Sequence, residues 1–485
     1  MSQLDLTQFE LDRGASTPLS DQLSDALQRR IEDGLLPRDS RLPTTRELAA
    51  SLGINRGTVQ AAYRRLSERG LVEGRVGSGT VVRGGAEPAP VAPFRLSEQL
   101  SRRASTLPDD LRPAVAAPLV ADFSRLAPDE RFFPLEDFTR TLAETWSRRS
   151  DLWQYAAPLG LEELRVEIAR RVREHGIVRD ADEILVTSGA QQGLDLLFRT
   201  FTDPGDLVAM ESPTYSGALA LARLAEAAIL PLEMDEDGPD PRPLRGRRAK
   251  LVYVMPERQN PTGVTMGESR RAELLEAALA SGALLVEDGY EEPESGFAPL
   301  SAVEPARAVW LGTLSKDLVP GFRIGWIAAA RPIVERLARV KQAADFQTPV
   351  PLQAAVAAFL RAGSDRQVRA ARAAAVTERT SALARALRRE LPAVEWWGGE
   401  GANPLFWLRL PDGIPGRRVA EAAAARGVAV AAGQDFDPRG ADRPEVRLSA
   451  SRVERAAIDP GVERLAEAIE EVRMRSGAAL AAPVV

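Results

Sequence analysis

The chain contains no cysteine and a single histidine in 485 residues. The first absence excludes disulfides, thiolate metal sites and cysteine nucleophiles. The second excludes metal sites built on histidine pairs, and His175, in the polar run Arg173-Glu174-His175-Gly176, reads as a helix-end residue. No apolar run approaches the roughly twenty residues a membrane-spanning helix needs, because Arg and Glu interrupt the Ala-rich stretches. The N-terminus, Met1 to Leu6, lacks the basic and apolar regions of a signal peptide. No membrane partner and a cytoplasmic location are therefore expected. Lysine is also scarce: among 63 Lys and Arg only Lys250, Lys316 and Lys341 are lysine. An ε-amine can lose its proton and attack a carbonyl, which a guanidinium cannot do, so a lysine kept in an arginine-dominated chain draws attention.

What is present is the composition of a soluble globular protein, 44% hydrophobic and 27% charged. The length exceeds one ordinary core, and two or three domains are expected. A net charge of −6 argues against nonspecific nucleic-acid binding by the whole chain, though not by one part of it.

Lys316 lies in Gly312-Thr-Leu-Ser-Lys316-Asp-Leu-Val-Pro-Gly-Phe-Arg323. Thr313 and Ser315 offer hydroxyls to a phosphate, Arg323 offers a fork, and Pro320-Gly321 supplies a turn between amine and guanidinium. A nucleophilic amine beside a phosphate cradle is what pyridoxal phosphate requires.

The first eighty residues read differently. Leu19, Leu23, Ala26, Leu27 and Ile31 recur at helical spacing up to Gly34. Thr44 stands three residues before Glu47, a capping box opening a helix to Leu52, and Asn55 caps the next, which carries Val59, Ala62, Tyr63 and Leu66 inward. Alternating strands around Val72 and Val81, joined by Arg75-Val-Gly-Ser-Gly79, predict a hairpin wing. Between Arg38 and Arg83 nine arginines face four acids, a local excess of base inside an acidic chain. Helix, turn, helix and wing with that bias point to DNA. The stretch from Pro18 to Arg83 resembles the GntR-type winged helix in Leu42-Pro-Thr-Thr-Arg46-Glu-Leu-Ala49, Leu52-Gly-Ile-Asn-Arg56-Gly-Thr58-Val, Ala62-Tyr-Arg-Arg-Leu66 and Gly70-Leu-Val. The resemblance implies operator contacts from Arg46, Arg56, Thr58 and Gln60, with Gly77, Ser78 and Gly79 at the wing tip.

Residues 84–121 turn rich in Pro and Ala and read as a semi-rigid linker, with a short helix around Ser97 to Ser105. From Asp122 to about residue 475 buried-type strands alternate with Ala/Arg/Glu-rich helices, predicting an α/β domain with a mostly parallel sheet. Ile184-Leu-Val-Thr-Ser188 is a strand, Gly189-Ala190-Gln191 a turn, and a helix follows; that junction presents backbone N–H groups to an anion. Tyr215 sits where a ring could stack on a planar cofactor. Asp288 ends a buried strand, at the crevice where open α/β sheets bind ligands, and could keep a pyridine nitrogen protonated; Asn260 and Tyr290 could bond its phenolic oxygen. Two long helices are expected between Arg331 and Pro392, then strands Leu405–Leu410 and Val446–Ser449 of a smaller C-terminal α+β subdomain, and a flexible tail over 476–485.

As a set, Tyr155-x-x-Pro-x-Gly160, Ser188-Gly-Ala, Pro-Thr-Tyr215, Asn260-Pro-Thr-Gly263, Asp288-x-Tyr290, Ser315-Lys316 and Arg323 resemble the class I/II aminotransferases of fold type I. The resemblance implies pyridoxal 5'-phosphate attached at Lys316, with Asp288 at the ring nitrogen and Tyr215 on the ring. It assigns the phosphate to Gly189, Ala190, Thr313, Ser315 and Arg323, counts Gln191 among the cofactor-binding residues, and assigns a substrate carboxylate to Arg447. Tyr155 is implied to serve a partner subunit's phosphate in a homodimer. Head, linker and large domain together resemble the MocR subgroup of GntR regulators, which implies operator DNA and an amino-acid, amine or cofactor effector as partners. A working aminotransferase with a fused head is the alternative, because Arg258-Gln-Asn260-Pro-Thr-Gly263 is closer to true aminotransferases.

Overall fold

The computed structural model describes residues 9, 11–75, 79–84, 100–107, 119–291, 293 and 295–480, with the chain dividing into two compact units at Leu100. In the first unit α1 (Leu19–Glu32) buries Leu23, Leu27 and Ile31, one residue per turn on one face. In α2 (Thr45–Leu52) the capping box forms as read: Glu47 N donates to Thr44 Oγ1 at 3.2 Å and Thr44 N donates to Glu47 Oε2 at 2.8 Å. Gly53, left-handed at φ 60°, ends it. Asn55 Oδ1 accepts from Gly57 N at 2.8 Å and opens α3 (Arg56–Glu68). Tyr63 packs inward and donates its hydroxyl to the Pro43 carbonyl at 2.9 Å, clamping α3 to the entry of α2. Strands β1 (Val72–Arg75) and β2 (Gly79–Val82) pair antiparallel with Val72 opposite Val82. Gly77 and Ser78, named for the wing tip, lie outside the described residues.

Of the expected linker, Gly84, Leu100 to Leu107 and Leu119 to Ala121 are described. The helix expected around Ser97 to Ser105 falls partly outside the described residues; among those described is one 3-10 turn, Ala104–Thr106, and Arg102 and Arg103 both pair with Glu226, the latter at 2.6 Å.

The second unit opens with β3 (Ala121–Asp122), α4 (Leu135–Ser147) and α5 (Glu162–Arg173). A strand and helix alternation comes next: β4 (Ile184–Thr187), α6 (Ala190–Phe201), β5 (Leu207–Ser212), α7 (Ser216–Leu224), β6 (Ala228–Asp235), β7 (Gly238–Pro239), β8 (Leu251–Val254), α8 (Glu268–Ser281), β9 (Leu284–Gly289), α9 (Leu300–Val303), β10 (Ala308–Thr313) and β11 (Gly325–Ala328). These strands form one sheet in the order β4-β11-β10-β9-β8-β5-β6-β7. The central pairs are parallel, while β11 runs antiparallel to both β10 and β4. Every residue of β4, β8 and β10 is buried, which is why these strands are continuous apolar runs instead of alternating ones. Register fixes where the strand ends fall. Leu311 lies opposite Asp288, Thr313 opposite Gly325, and Gly325 opposite Thr187, so the ends of β4, β9 and β10 meet at one edge.

Three helices, not the two expected, lead away from the sheet: α10 (Arg331–Asp345), α11 (Val350–Arg361) and α12 (Ser364–Glu390). Pro349 and Pro351 restart the chain at α11, and Gly363 at φ 71° separates it from α12. The C-terminal subdomain is a four-stranded antiparallel sheet of β12 (Glu395–Gly398), β13 (Leu405–Arg409), β15 (Ala431–Ala432) and β16 (Glu445–Ser449), with α13 (Gly416–Ala425) and β14 (Val428–Ala429), which pairs with β3. Its core joins Leu383 and Leu387 of α12 to Phe406, Leu448 and, from α14 (Arg455–Leu480), Val462 and Leu465. Each such side chain contributes about 1.5–3 kcal/mol of burial. α14 runs on to Leu480, so residues 476–480, read as tail, are helical; 481–485 lie outside the described residues.

Candidate functional site

The sheet's carboxyl edge gathers the chemistry. Asp288, at the end of β9, is buried; Tyr253 of β8 donates its hydroxyl to Asp288 Oδ2 at 2.6 Å, and Oδ1 is buried with no hydrogen-bond partner. Burial pushes Asp288 up to about 6, against Tyr253 and the charge of Lys316, which pull it down. Lys316, just past β10, donates from Nζ to the Leu126 carbonyl. Burial brings it down to about 8, helped by Arg447 and Arg372 and opposed first by Glu291, then by Asp288. An amine in that range supplies a neutral nucleophile in mildly alkaline water.

A second cluster lies where β4 meets β11. Gly189 caps α6 at φ 86°, and a Cβ there would come within 2.6 Å of Arg323 Nη2, so only glycine admits the guanidinium. Gly325 is as tightly held, since its Cβ would stand 2.7 Å from Ala190 N. Arg323, itself left-handed at φ 49°, donates to the Ser188 carbonyl at 3.1 Å. Ser315 N donates to Thr313 Oγ1 at 3.1 Å, and Ser315 Oγ lies 3.0 Å from it. The first N–H groups of α6 have no partner within the helix and, with its dipole, give this corner the polarity to receive an anion.

The remaining candidates occupy other positions. Gln191 donates to the Gly217 carbonyl at 3.0 Å and accepts from the Tyr215 hydroxyl at 3.2 Å; its side chain therefore orients Tyr215 instead of turning to the anion corner. Tyr290 donates to the Arg258 carbonyl. Asn260 Oδ1 accepts from Arg447 Nη1 at 2.9 Å, while Arg447 Nη2 donates to the Ser124 carbonyl and Nε has no partner. Arg447 is buried, lies 5.1 Å from the centre of the Phe436 ring, and is drawn down to about 10 by burial, which leaves it charged at neutral pH. Tyr155 is 85% exposed, its ring 6.0 Å from that of Phe346.

Several residues escaped the sequence reading. Tyr253 is one; its signal was a phenol in an otherwise aliphatic buried strand. Arg258, at φ 47°, pairs with Glu291 at 2.9 Å. Gln259 is fully wrapped, donating to Glu211 at 2.9 Å and the Pro213 carbonyl at 2.7 Å while accepting from Thr262 N at 3.0 Å. Glu211, which also accepts from Met255 N at 2.9 Å, is pushed up to about 8 by burial.

In the N-terminal unit Arg46, Arg56 and Gln60 are exposed and Thr58 is half-buried. Arg56 Nε reaches Thr45 Oγ1 at 3.4 Å. Gly79, at φ 80°, lies against Arg41. Part of the basic excess is neutralised within the unit: Arg65 pairs with Asp21, Arg69 with Asp25, and Arg83 with Glu73 and Asp39. Arg46 and Arg56 stand clear of those pairs. Among the described residues no group of His, Asp and Glu could hold a metal ion, and no helix is long and apolar enough to cross a membrane.

Residues 19–82 match the family of bacterial regulatory proteins of the gntR family, and residues 127–465 match aminotransferase class I and II. The HTH-type transcriptional regulator TauR of Rhodobacter capsulatus is 30% identical over 95% of this chain and 98% of its own. Aromatic-amino-acid aminotransferase 1 of Thermococcus litoralis is 34% identical over 71% of this chain and 86% of its own. The crystal structure of LysN, an alpha-aminoadipate aminotransferase from Thermus thermophilus complexed with N-(5'-phosphopyridoxyl)-L-leucine, superposes with a TM-score of 0.71 at 27% identity, over 79% of this chain and 100% of that one. The chain belongs to the MocR type of GntR regulator, a winged-helix head fused to an aminotransferase class I and II domain.

Proposed function

We propose that this chain regulates transcription by binding operator DNA through α3 and the β1–β2 hairpin, and that it senses an amino acid, an amine or the cofactor itself through pyridoxal 5'-phosphate at the sheet's carboxyl edge. What supports the reading is the joining, in one chain, of a winged helix to a sheet edge that gathers Lys316, Asp288 and the corner at Gly189. The residues fit the cofactor. Asp288 Oδ1, buried and without a partner, suits a protonated ring nitrogen, and the corner at Gly189 and Gly325 suits a phosphate. Bound there, the cofactor supplies an aldehyde that condenses with amines and a ring that accepts electrons.

In this reading Lys316 offers its amine, and Asp288, set by Tyr253, keeps a negative charge at the ring nitrogen. Tyr215, held by Gln191, lies against the ring. Gly189 and Ala190, with Thr313, Ser315 and Arg323, take the phosphate. Asn260 keeps its amide N–H groups for the phenolic oxygen while its carbonyl holds Arg447, so the carboxylate clamp and the ring site share one residue. Tyr290, its proton committed to Arg258, serves there as an acceptor. Arg447 receives the effector's carboxylate. The protein is a cytoplasmic homodimer, with exposed Tyr155 directed to the partner's phosphate. Arg46, Arg56, Thr58, Gln60 and Gly79 face the operator, and effector binding shifts the population of head arrangements.

The test combines two measurements on the full chain. Binding to the DNA upstream of its own gene is expected, modulated by an amino acid or amine and lost in Arg56→Ala. Visible absorbance from bound pyridoxal phosphate is expected, and lost in Lys316→Ala. Steady transamination without operator binding would instead make the chain an aminotransferase, the reading that the complete Asn260–Arg447 pair favours.

A further inference from the structure

Lys341 plays no part in the functions assigned so far, yet it is one of three lysines and its side chain is 0% exposed. From α10 its Nζ donates to Asp345 Oδ1 at 2.6 Å. The other oxygen, Asp345 Oδ2, accepts from Gln192 Nε2 at 2.6 Å. Gln192 Oε1 in turn accepts from the backbone N–H of Ser188 at 2.8 Å. Ser188 is the residue whose carbonyl accepts from Arg323, and whose hydroxyl lies 3.3 Å from Thr348 Oγ1. Ser188 is thus held through both its backbone N–H and its carbonyl, immediately before Gly189 and the first turn of α6.

A second observation marks the same corner. Phe346, next to Asp345, has φ 62° and ψ −59°, with Gln347 N donating to the Asp345 carbonyl at 2.7 Å. That is a γ-turn of the rarer, strained hand, in a residue with a bulky side chain. Such a turn persists where its surroundings hold it, and here the bonds to Asp345 hold it from one side while the Ala156 N–H, donated to Gln347 Oε1, and the Tyr155 ring hold it from the other. Ion pairs taken out of water are seldom a net source of stability, and apolar replacements of both partners are often neutral. A fully buried ammonium at the end of this chain therefore calls for a role other than stability.

We propose that Lys341 and Asp345 are positioning residues for an anion: acting through Gln192, they fix the Thr187–Ser188 peptide by its N–H and so set the Ser188 carbonyl and Gly189 that follow, so that Arg323 and the first N–H groups of α6 converge on one phosphate group. Neither touches the phosphate. Their effect is on where the donors point, and it is specific to ligands that carry a phosphate. The inference rests on the reading of this site as the cofactor site.

The experiment measures, on the full chain, affinity for pyridoxal 5'-phosphate and for pyridoxal, which has the same aldehyde and ring without the phosphate. Wild type, Asp345→Ala, Gln192→Leu and the double variant Lys341→Met/Asp345→Asn are compared, the last removing both charges together in case a lone buried ammonium prevents folding. Protection of each variant against heat by inorganic phosphate is the second readout. Affinity for pyridoxal 5'-phosphate is expected to fall on the order of tenfold, the worth of about 1.4 kcal/mol, while affinity for pyridoxal stays within about a factor of two and the protection by phosphate is lost. Equal loss for both ligands, the mark of a merely structural role, overturns the proposal, and so does no loss for either. A wild type that binds the two equally overturns the proposal together with the assignment of the phosphate corner, whereas a wild-type preference with unchanged variants overturns the proposal alone.

Discussion

Tyr253 donates its hydroxyl to Asp288 Oδ2 at 2.6 Å and leaves Oδ1 buried and unpartnered, so one oxygen of the carboxylate is committed and the other is kept available. The phenol is a means of holding charge on an acid that burial would neutralise, since Tyr253 works against the upward push on Asp288. Tyr253→Phe removes that donor and is expected to raise Asp288 beyond about 6. Cofactor affinity should drop at neutral pH, by the roughly 1.5–3 kcal/mol of a hydrogen bond to a charged group, and recover as the solution is made alkaline. Titrations across pH test it; a pH-independent loss would mean that the phenol acts by packing alone.

Lys316, lowered to about 8 by burial, should condense with pyridoxal with a midpoint near that value. Borohydride trapping of the adduct as a function of pH reads the midpoint directly. Glu291 favours the charged amine, so Glu291→Gln is expected to shift the midpoint downward. A midpoint at the ordinary lysine value in wild type would count against a buried amine.

Glu211 is raised from 4.5 to about 8 by burial. An acid that holds its proton more tightly when folded is a source of stability that declines with rising pH. The decline begins near the unfolded value of 4.5 and is complete once pH passes the folded value of about 8. Glu211→Gln can keep the contacts to Met255 and Gln259 but cannot ionise. The melting-temperature difference between this variant and wild type should therefore grow in the variant's favour across that window. A difference that does not change with pH rules the explanation out.

Gly189→Ala places a methyl group within 2.6 Å of Arg323 Nη2 at a residue with φ 86°. The phosphate corner should be lost while the fold survives. The expected result is at least tenfold weaker binding of pyridoxal 5'-phosphate with a cooperative melt retained. Unchanged affinity would place the phosphate elsewhere.

In the head, Thr44→Ala removes the capping box of α2 and is expected to cost about 1 kcal/mol of stability without altering the salt dependence of DNA binding. Arg56→Ala should abolish specific binding with the melt unchanged. Chemical denaturation and DNA titration at two salt concentrations separate the two effects; a salt slope altered by Thr44→Ala would contradict them.

Local signals were legible wherever a motif is short and its physics is local. Thr44 with Glu47, Asn55 before α3, and Gly53 after α2 each act within one helical turn, so helix boundaries there follow from side chains a few residues apart. The buried strands were legible because a sheet covered on both faces needs continuous apolar runs. Long Ala/Arg runs carry no face preference, so periodicity after Arg331 does not show the breaks at Pro349 and Gly363 that make three helices of the two expected. Adjacency along the chain does not say where a side chain turns: that of Gln191 bonds Tyr215 and the Gly217 carbonyl.

By itself the sequence determined the division into a basic winged helix and an α/β domain, the cofactor chemistry open to one lysine, and the residue types around it. Those follow from composition, periodicity and short motifs, which are properties of neighbours along the chain. Tertiary structure alone decided which distant residues serve that chemistry: Tyr253 on Asp288, Leu126 on Lys316, Asn260 on Arg447, and Lys341 through Asp345 and Gln192 on Ser188. Their partners lie 4 to 190 positions away, and hydrogen-bond direction and burial, which set charge and orientation, exist only once the sheet has brought those strands into register.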